Sequence, residues 1–395
     1  MKKLILSIII LTTVKLNAQY PLAPEVWSIP EKVIAISEWQ VRSESPSISF
    51  DKQKLYFDGI AFTEWADTGW AEPTFLPSHI NQHLARWPTI SPNGKRIFFS
   101  WFYLSGWDLY YSDWDSTVND WGVAVNCGPG VNTPENAEFS AALPNDTTLI
   151  FLRGTQSRIS YWNNETQTWG PAVGWPTPTL LFASDYGIYV TPDFKKVYDT
   201  GTRSDTTIGG QSYLNYDINV SYKDTSNPRG YTIPYILNFC LYADTQYFAG
   251  NYVDRLEGFP MLTTDGKKMY LMATYDGQTT IYESIMLIDE NGNPVNVERE
   301  KEGIIPQKIE LLPAYPNPFN PMTKIKYRIH KSTDIRVSLY DMLGQKIADL
   351  ADSAKNEGEY EITIDAKELK LSSGTYIVSL RTKEQQLAQK IIYIK

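Results

Sequence analysis

Arg86-Trp87-Pro88-Thr89-Ile90-Ser91-Pro92-Asn93-Gly94-Lys95-Arg96-Ile97-Phe98-Phe99-Ser100, continued by Gly106-Trp107-Asp108-Leu109-Tyr110-Tyr111, carries the pattern that decides the fold. Ile90 ends a short apolar run. Ser91-Pro92-Asn93-Gly94 is a tight turn: Pro fixes φ, Asn tolerates positive φ and Gly adopts it freely. Ile97-Phe98-Phe99 begins a return strand, so the pattern predicts a β-hairpin. Gly106 interrupts the chain, and Leu109-Tyr110-Tyr111 predicts a third strand.

The unit recurs along the chain. Turn residues Asp51, Asn93, Asn145, Asp193 and Asp265 stand 42, 52, 48 and 72 residues apart, each leading into an apolar strand. A second mark, Trp27, Trp70, Trp121 and Trp169, precedes the first four turns by 24, 23, 24 and 24 residues. Tyr231 replaces the Trp before the fifth turn, 34 residues ahead of it, which implies an insertion in that copy. Repeats of ~40–50 residues with four short strands predict a β-propeller, because one such unit cannot bury both its faces. Five copies predict an all-β, five-bladed β-propeller; a degenerate sixth copy between Gly201 and Asp254 is the alternative. The segment around Trp27 carries the mark that ends each repeat. It is expected to pair with the last blade near 281–287 and so remove a sheet edge.

The turn followed by Lys, the apolar return strand, Asp-Leu-Tyr and the Trp mark together resemble the TolB-type (WD40-like) β-propeller repeat, over about 27–288. Val131-Asn132-Thr133-Pro134-Glu135-Asn136 resembles the link common between such repeats. The resemblance implies a fold and leaves the activity open, since propellers host unrelated functions.

The remaining composition sets bounds. The 395 residues suffice for two or three domains. Abundant Trp and Tyr, without Ala-rich or Leu-rich helical runs, favour strands. The formal net charge is −9, and loss of Lys2, Lys3 and Lys15 with a leader would make it −12. An acidic chain without a basic patch is a poor nucleic-acid binder.

The N-terminus opens Met1-Lys2-Lys3, runs almost wholly apolar over 4–11, and reaches Leu16-Asn17-Ala18-Gln19. That is the form of a secretory signal peptide over 1–18, cut after Ala18. Its apolar run is far short of the ~20 residues of a membrane span, and no other segment of the mature chain is a transmembrane candidate. No Cys follows the cut, which argues against a lipid anchor. Cys127 and Cys240 are the only cysteines; in an exported protein they could pair or stay free, and sequence does not supply the geometry that decides.

Residues 19–288 are assigned to the propeller, 289–310 to a polar linker, and 311–395 to a second domain. In the last, Ile325/Tyr327/Ile329, Ile335/Val337/Leu339, Tyr360/Ile362/Ile364 and Tyr376/Val378/Leu380 alternate with polar residues, the period of half-buried strands. This predicts a small Ig-like β-sandwich. Ala314-Tyr315-Pro316-Asn317-Pro318-Phe319-Asn320-Pro321, Leu343-Gly344-Gln345-Lys346, Ser373-Gly374-Thr375-Tyr376 and the closing Gln389-Lys390-Ile391-Ile392 occur in order. They resemble the type A C-terminal sorting domain of the type IX secretion system, with Pro316, Asn317, Pro318, Phe319, Gly344, Gly374, Tyr376 and Lys390 as motif residues. The resemblance implies passage through the periplasm to the outer-membrane surface or the medium. It also implies recognition by the type IX machinery and trimming by a surface sortase, the cargo then being anchored or released. The polar linker predicts few contacts between the two domains.

Chemistry-bearing motifs are sparse. The chain has no Gly-x-Ser-x-Gly, no His-Glu-x-x-His and no phosphate loop. His79 and His83 lie in a Pro-bounded connection without a third ligand, and Asp113, Asp115 and Asp120 lack the glycine and closing glutamate of a calcium loop. Neither a metal nor a cofactor is expected. Propeller ligands bind where the innermost strands meet the central channel. The residue seven before each turn gives Glu44, Arg86, Glu138, Tyr186 and Gly258, with Asp185 and Glu257 one place earlier. Glu44, Arg86, Glu138, Asp185, Tyr186 and Glu257 are therefore the candidate channel-mouth residues. Two functions fit: non-catalytic binding of a glycan or protein, or, alternatively, a five-bladed glycoside hydrolase drawing acid and base from these carboxylates. The opposing structural reading has the Glu bonded to the next blade.

Overall fold

The computed structural model describes residues 21–39, 43–66, 69–103, 106–134, 136–154, 156–176, 187–208, 211–240, 257–275, 278–295, 297–298, 309–382 and 385–395. The leader at 1–18, Asp185 and Tyr186 lie outside the described residues. Almost all regular structure among the described residues is β; a helical turn spans Ile34–Ser37, and 238–240 are also helical.

Each repeat folds as one antiparallel sheet in the order its sequence predicts. In the second sheet, Leu84–Ile90, Arg96–Tyr103, Gly106–Asp115 and Asp120–Trp121 lie side by side, with Val125–Asn126 extending Gly106–Asp115. The first sheet uses Ser47–Ile48, Lys54–Phe57, Ala61–Ala66 and Gly69–Trp70; the third uses Glu138–Asn145, Thr148–Arg153, Gln156–Asn163 and Thr168–Trp169. The fourth joins Ile188–Val190, Lys196–Ile208, Gln211–Tyr222 and Tyr235–Ile236. Its long central hairpin occupies 196–222, the first part of the segment in which a sixth copy was the alternative. The fifth sheet is Glu257–Leu262, Lys268–Thr274 and Thr279–Ile288, completed by Val26–Trp27 from the other end of the chain. Val26 pairs with Ile288 and Trp27 with Met286, so the expected closing strand is in place. The first strands of neighbouring sheets touch in chain order, and Glu257–Leu262 returns to Ser47–Ile48. The five sheets thus form a ring.

The fixed spacing of the two sequence marks has a physical cause. The residue five places beyond each turn residue receives the ring of the next sheet. Trp121 packs on Tyr56 (centroids 6.4 Å apart), Trp169 on Phe98 (5.7 Å) and Trp70 on Tyr270 (6.0 Å). Tyr231 shares a buried cluster with Ile150, and Trp27 one with Tyr198. Large ring contacts of this kind bury much apolar area per residue. The link around Asn132 is also structural: its side-chain amide accepts from Leu109 N and donates to Leu109 O, both at 2.9 Å, as a strand neighbour would. Cys127 and Cys240 are both buried, and they form no disulfide with each other.

Beyond the ring, two sheets enclose a second core of Ile325, Tyr327, Val337, Leu339, Ile364, Val378 and their neighbours. One sheet runs Val297–Glu298, Gln385–Tyr393, Gly374–Arg381, Thr333–Tyr340, Lys346–Lys355; the other is Ile309–Leu311, Met322–Ile329, Gly358–Asp365. Met322–Ile329 alternates exposed and buried as the sequence predicts. Two expectations need correction. The segment 289–310 is not merely a linker, since Val297–Glu298 pairs with Gln385 and Gln386, and Ile309 is buried in the second core. Nor are contacts with the ring few. Tyr340, Ile377 and Ala388 pack on Val26, Ile285, Leu287 and Ile288, and Arg381 bonds Glu283 at 2.9 Å. The polarity of a connection says nothing about the outward faces of the strands it joins.

Candidate functional site

The central channel is lined by the first strands of all five sheets. Pro46, Pro88 and Pro260 project there, each preceded by a residue at positive φ: Ser45 at 53°, Trp87 at 55° and Phe259 at 50°. These irregular positions displace the ladder, as the register shifts between Arg86 and Thr89 and between Gly258 and Met261 show. Gly187 is required beside them: at φ +80°, a Cβ there would stand 2.5 Å from the Phe259 ring. The cavity inside measures about 50 Å³ and its lining is mainly apolar. That is room for a few waters at about 10–15 Å³ each.

Arg86, Glu138 and Glu257 lie at the starts of those same strands and Glu44 just before one, but they are not equivalent. Glu138 is fully buried. Its Oε1 accepts from Arg153 Nε at 2.8 Å and from Thr133 Oγ1 at 2.9 Å, and Arg153 also donates to the Val131 carbonyl. Burial pushes the Glu138 carboxyl up, against the opposing pull of Thr133 and Arg153. Glu138 is therefore held structurally, though by Arg153 of its own sheet and Thr133 of the preceding link rather than by the next repeat. Glu257 is 1% exposed. Its carboxylate, that of Asp217 and the Cys240 sulfur lie within 4.8 Å of one another, the one such trio among the described residues. Cys240 Sγ accepts from Ile218 N at 3.4 Å, and burial pushes its thiol well up. Glu44 and Arg86 are partly exposed.

The residues one place further on do converge. Trp87, Phe139 and Phe259, from three different sheets, form one buried cluster with Leu152 and Met272, and Trp107 packs against it. Trp87 and Trp107 lie 4.8 Å apart, and Trp87 and Phe139 5.4 Å. The Arg86 guanidinium stands over the Trp107 ring at 5.9 Å, and Phe102, 42% exposed, flanks that ring at 5.3 Å. Aromatic rings thus gather at the starts of these strands, with the Arg86 guanidinium beside them. The sequence signal was present, an aromatic residue directly after the counted position in three repeats, but Trp107 belongs to a different strand and carries no such mark.

The other flagged residues are structural. His79 Nε2 donates to the Trp121 carbonyl at 2.8 Å, tying one repeat to the next, and His83 packs on Trp101. Asp113 bonds Arg96, and Asp115 caps its own turn through Thr117 N. At the opposite ends of the strands, a groove of about 710 Å³ lies between the fourth and fifth sheets. Several of its charges pair with one another, as Lys195 does with Asp193 and Lys196 with Glu290.

In the C-terminal domain the motif residues lie on two sides. Asn317 accepts from Ile392 N at 2.8 Å and donates to Lys390 O at 2.9 Å, and Phe319 N bonds Ile392 O, so Pro316, Asn317, Pro318 and Phe319 run along the last strand. Gly374 opens the strand carrying Tyr376, whose hydroxyl donates to Ser372 O at 2.6 Å. Gly344 instead reaches the ring, its O accepting from Ile29 N at 3.2 Å, and Lys390 Nζ donates to Gly292 O in the segment that follows the ring.

Residues 313–395 match the family of secretion system C-terminal sorting domains. The chain is accordingly an exported protein handled by the type IX secretion system and delivered to the cell surface or the medium. No curated protein matches the chain. Among solved structures it is similar to TolB from Acinetobacter baumannii, at 13% identity and TM-score 0.32, over 62% of this chain and 54% of that one. It thus spans about half of the TolB chain. A putative glycoside hydrolase from Parabacteroides distasonis is similar at 12% identity and TM-score 0.39, over 68% of this chain and 94% of that one. A glycosyl hydrolase from Bacteroides ovatus gives 11% and 0.38, over 71% and 93%. No residue role passes from these structures to this chain. Among the described residues, no helix is long and apolar enough to cross a membrane.

Proposed function

We propose that the chain is a five-bladed propeller that binds a glycan or protein ligand, without chemistry, at the ring mouth around Arg86 and Trp107. Its leader takes it to the periplasm, and its Ig-like tail takes it outward to the surface or medium. The observation that carries the reading is the contrast between two of the candidate carboxylates, Glu138 and Glu257, and the rings beside them. A glycosidase needs two carboxyl groups facing one sugar, roughly 5–10 Å apart. Glu138 is buried against Arg153 and Glu257 is buried beside Asp217 and Cys240. Trp107, Phe102 and Arg86, by contrast, offer apolar ring surface and a cation at the edge, a combination suited to the faces of sugar rings or to an aromatic-rich peptide.

The test is a panel of plant and microbial polysaccharides incubated with the purified protein, read for retention and for released reducing sugar. Retention without release supports binding. Release of sugar would overturn the non-catalytic reading and return the carboxylates to the centre of the site.

A further inference from the structure

The contact between tail and ring has an unusual location. The turn 341–346, which holds the Leu-Gly-Gln-Lys motif, sits on the strand that closes the ring. Gly344 has φ +78°, and a Cβ there would stand 2.0 Å from the Trp27 carbonyl oxygen and 2.6 Å from Asn238 Nδ2. Only glycine permits that approach. Asn238 is the pivot. It accepts from Trp27 N at 2.7 Å, and its Nδ2 donates both to Trp27 O at 2.7 Å and to Leu343 O at 2.6 Å. One side-chain amide therefore holds the closing strand and the tail turn together. Trp27 and Asn238 are 211 residues apart, and they meet only when Val26–Trp27 has joined the fifth sheet.

The surrounding contacts extend this seat. The strand Gly374–Arg381 is buried on both faces, with Tyr376, Val378 and Leu380 in the tail's core and Ile377 against Leu287 and Ile288 of the ring. Arg381 reaches Glu283, itself bonded to Lys268 at 2.9 Å. Lys390 donates to Gly292 O, and Glu31 lies 3.9 Å from Lys346 and 4.0 Å from Arg336. Apolar contact, buried polar contact and charge pairs therefore combine across one surface, as in interfaces that hold without a covalent tie.

We infer that the tail is a non-covalent partner of the closed ring: cutting the connection between Glu298 and Ile309 leaves the two parts bound. The seat is assembled from both ends of the ring, so the tail docks only on a ring that has closed. Proteolysis in the connection is then not sufficient to free the ring, and the turn 341–346 has to be drawn off Trp27 and Asn238 as a separate event.

The experiment places a specific protease site within 299–308 of the full chain, cleaves to completion and passes the product through gel filtration without denaturant. The expected result is co-elution of both fragments at the position of the uncut chain. Gly344→Ala and, as a milder variant that leaves every turn intact, Arg381→Ala should give fragments that separate wholly or in part, each uncut variant keeping the wild-type circular dichroism. Separation of the wild-type fragments would overturn the inference. So would Gly344→Ala and Arg381→Ala fragments that both stay together as firmly as wild type when diluted, because the named contacts would then not hold the interface.

Discussion

The Glu25 carboxylate lies 2.9 Å from Nζ of Lys196, joining the segment that closes the ring to the second strand of the fourth sheet. Glu25 is fully buried. Its other oxygen accepts from Trp27 Nε1 at 2.8 Å and Tyr198 OH at 2.9 Å. A buried carboxylate with this many donors is fully compensated, and removing it strands the donors and the cation.

Glu25→Ala is therefore expected to lower the unfolding free energy by ~3–5 kcal/mol, the usual cost of breaking a buried pair from one side. Glu25→Gln should cost less, because its amide oxygen still accepts from the donors and Lys196 keeps Glu290 at 2.8 Å. Urea denaturation measures both. An Ala variant within ~1 kcal/mol of wild type would mean that the closure is held elsewhere.

At the mouth, Trp107→Ala should weaken the principal ligand by about 2 kcal/mol, roughly thirtyfold, as loss of a central ring does in binding sites. Charge reversal at Arg86 should weaken it also, with the melting curve unchanged, since the group is only partly buried. Glu138→Ala should behave in the opposite manner and melt early, because Arg153 would lose its buried partner. Titration calorimetry beside thermal melts separates these outcomes.

The contact between tail and ring should depend on pH through Glu283. Burial raises the pKa of this carboxyl, but Lys268 and Arg381 outweigh it and bring the value from 4.5 to about 2. A folded pKa below the unfolded one contributes stability that is present above about 4.5 and lost as pH falls toward about 2. The stability difference between wild type and Glu283→Gln should hence be constant near neutrality and shrink between those two values. A difference that persists unchanged at the acid end would count against the ion pair as its source.

Deletion of 311–395 should keep the ring inside the cell envelope, and the same tail placed behind a leader on an inert reporter should send it outward. Because Val26, Ile285, Leu287 and Ile288 lose their cover, the truncated ring should also melt earlier and associate more readily than the full chain. Fractionation and thermal melts check the two halves. A truncated ring found outside the cell would show that the tail is not the address.

Most of the architecture was legible from local chemistry. The turn Ser91-Pro92-Asn93-Gly94, the Trp marks at constant spacing and the alternation in 322–395 are short-range patterns, and the strands they predict lie where expected. The spacing even encoded a long-range contact, because a ring at a fixed distance from each turn must meet the same position of its neighbour in every repeat. The tail's outer faces left a weaker trace. Ile377 is an apolar residue out of step in Tyr376-Ile377-Val378-Ser379-Leu380, which marks a second buried face without saying what buries it.

The site was less legible. Counting back from the turns led to the first strands and chose Glu138 as a candidate ligand group, whereas Arg153, directly opposite it in the ladder, bonds its carboxylate. Sequence by itself determined the sheets, their order and the exported tail, because turns, periodicity and motifs act within a few residues of each other. Tertiary structure alone decided which carboxylates are buried, that Trp107 meets Arg86, and that Gly344 rests on Trp27. Those depend on the distance and burial between strands far apart in the chain, and a side chain's charge, partner and exposure are settled only when such strands meet.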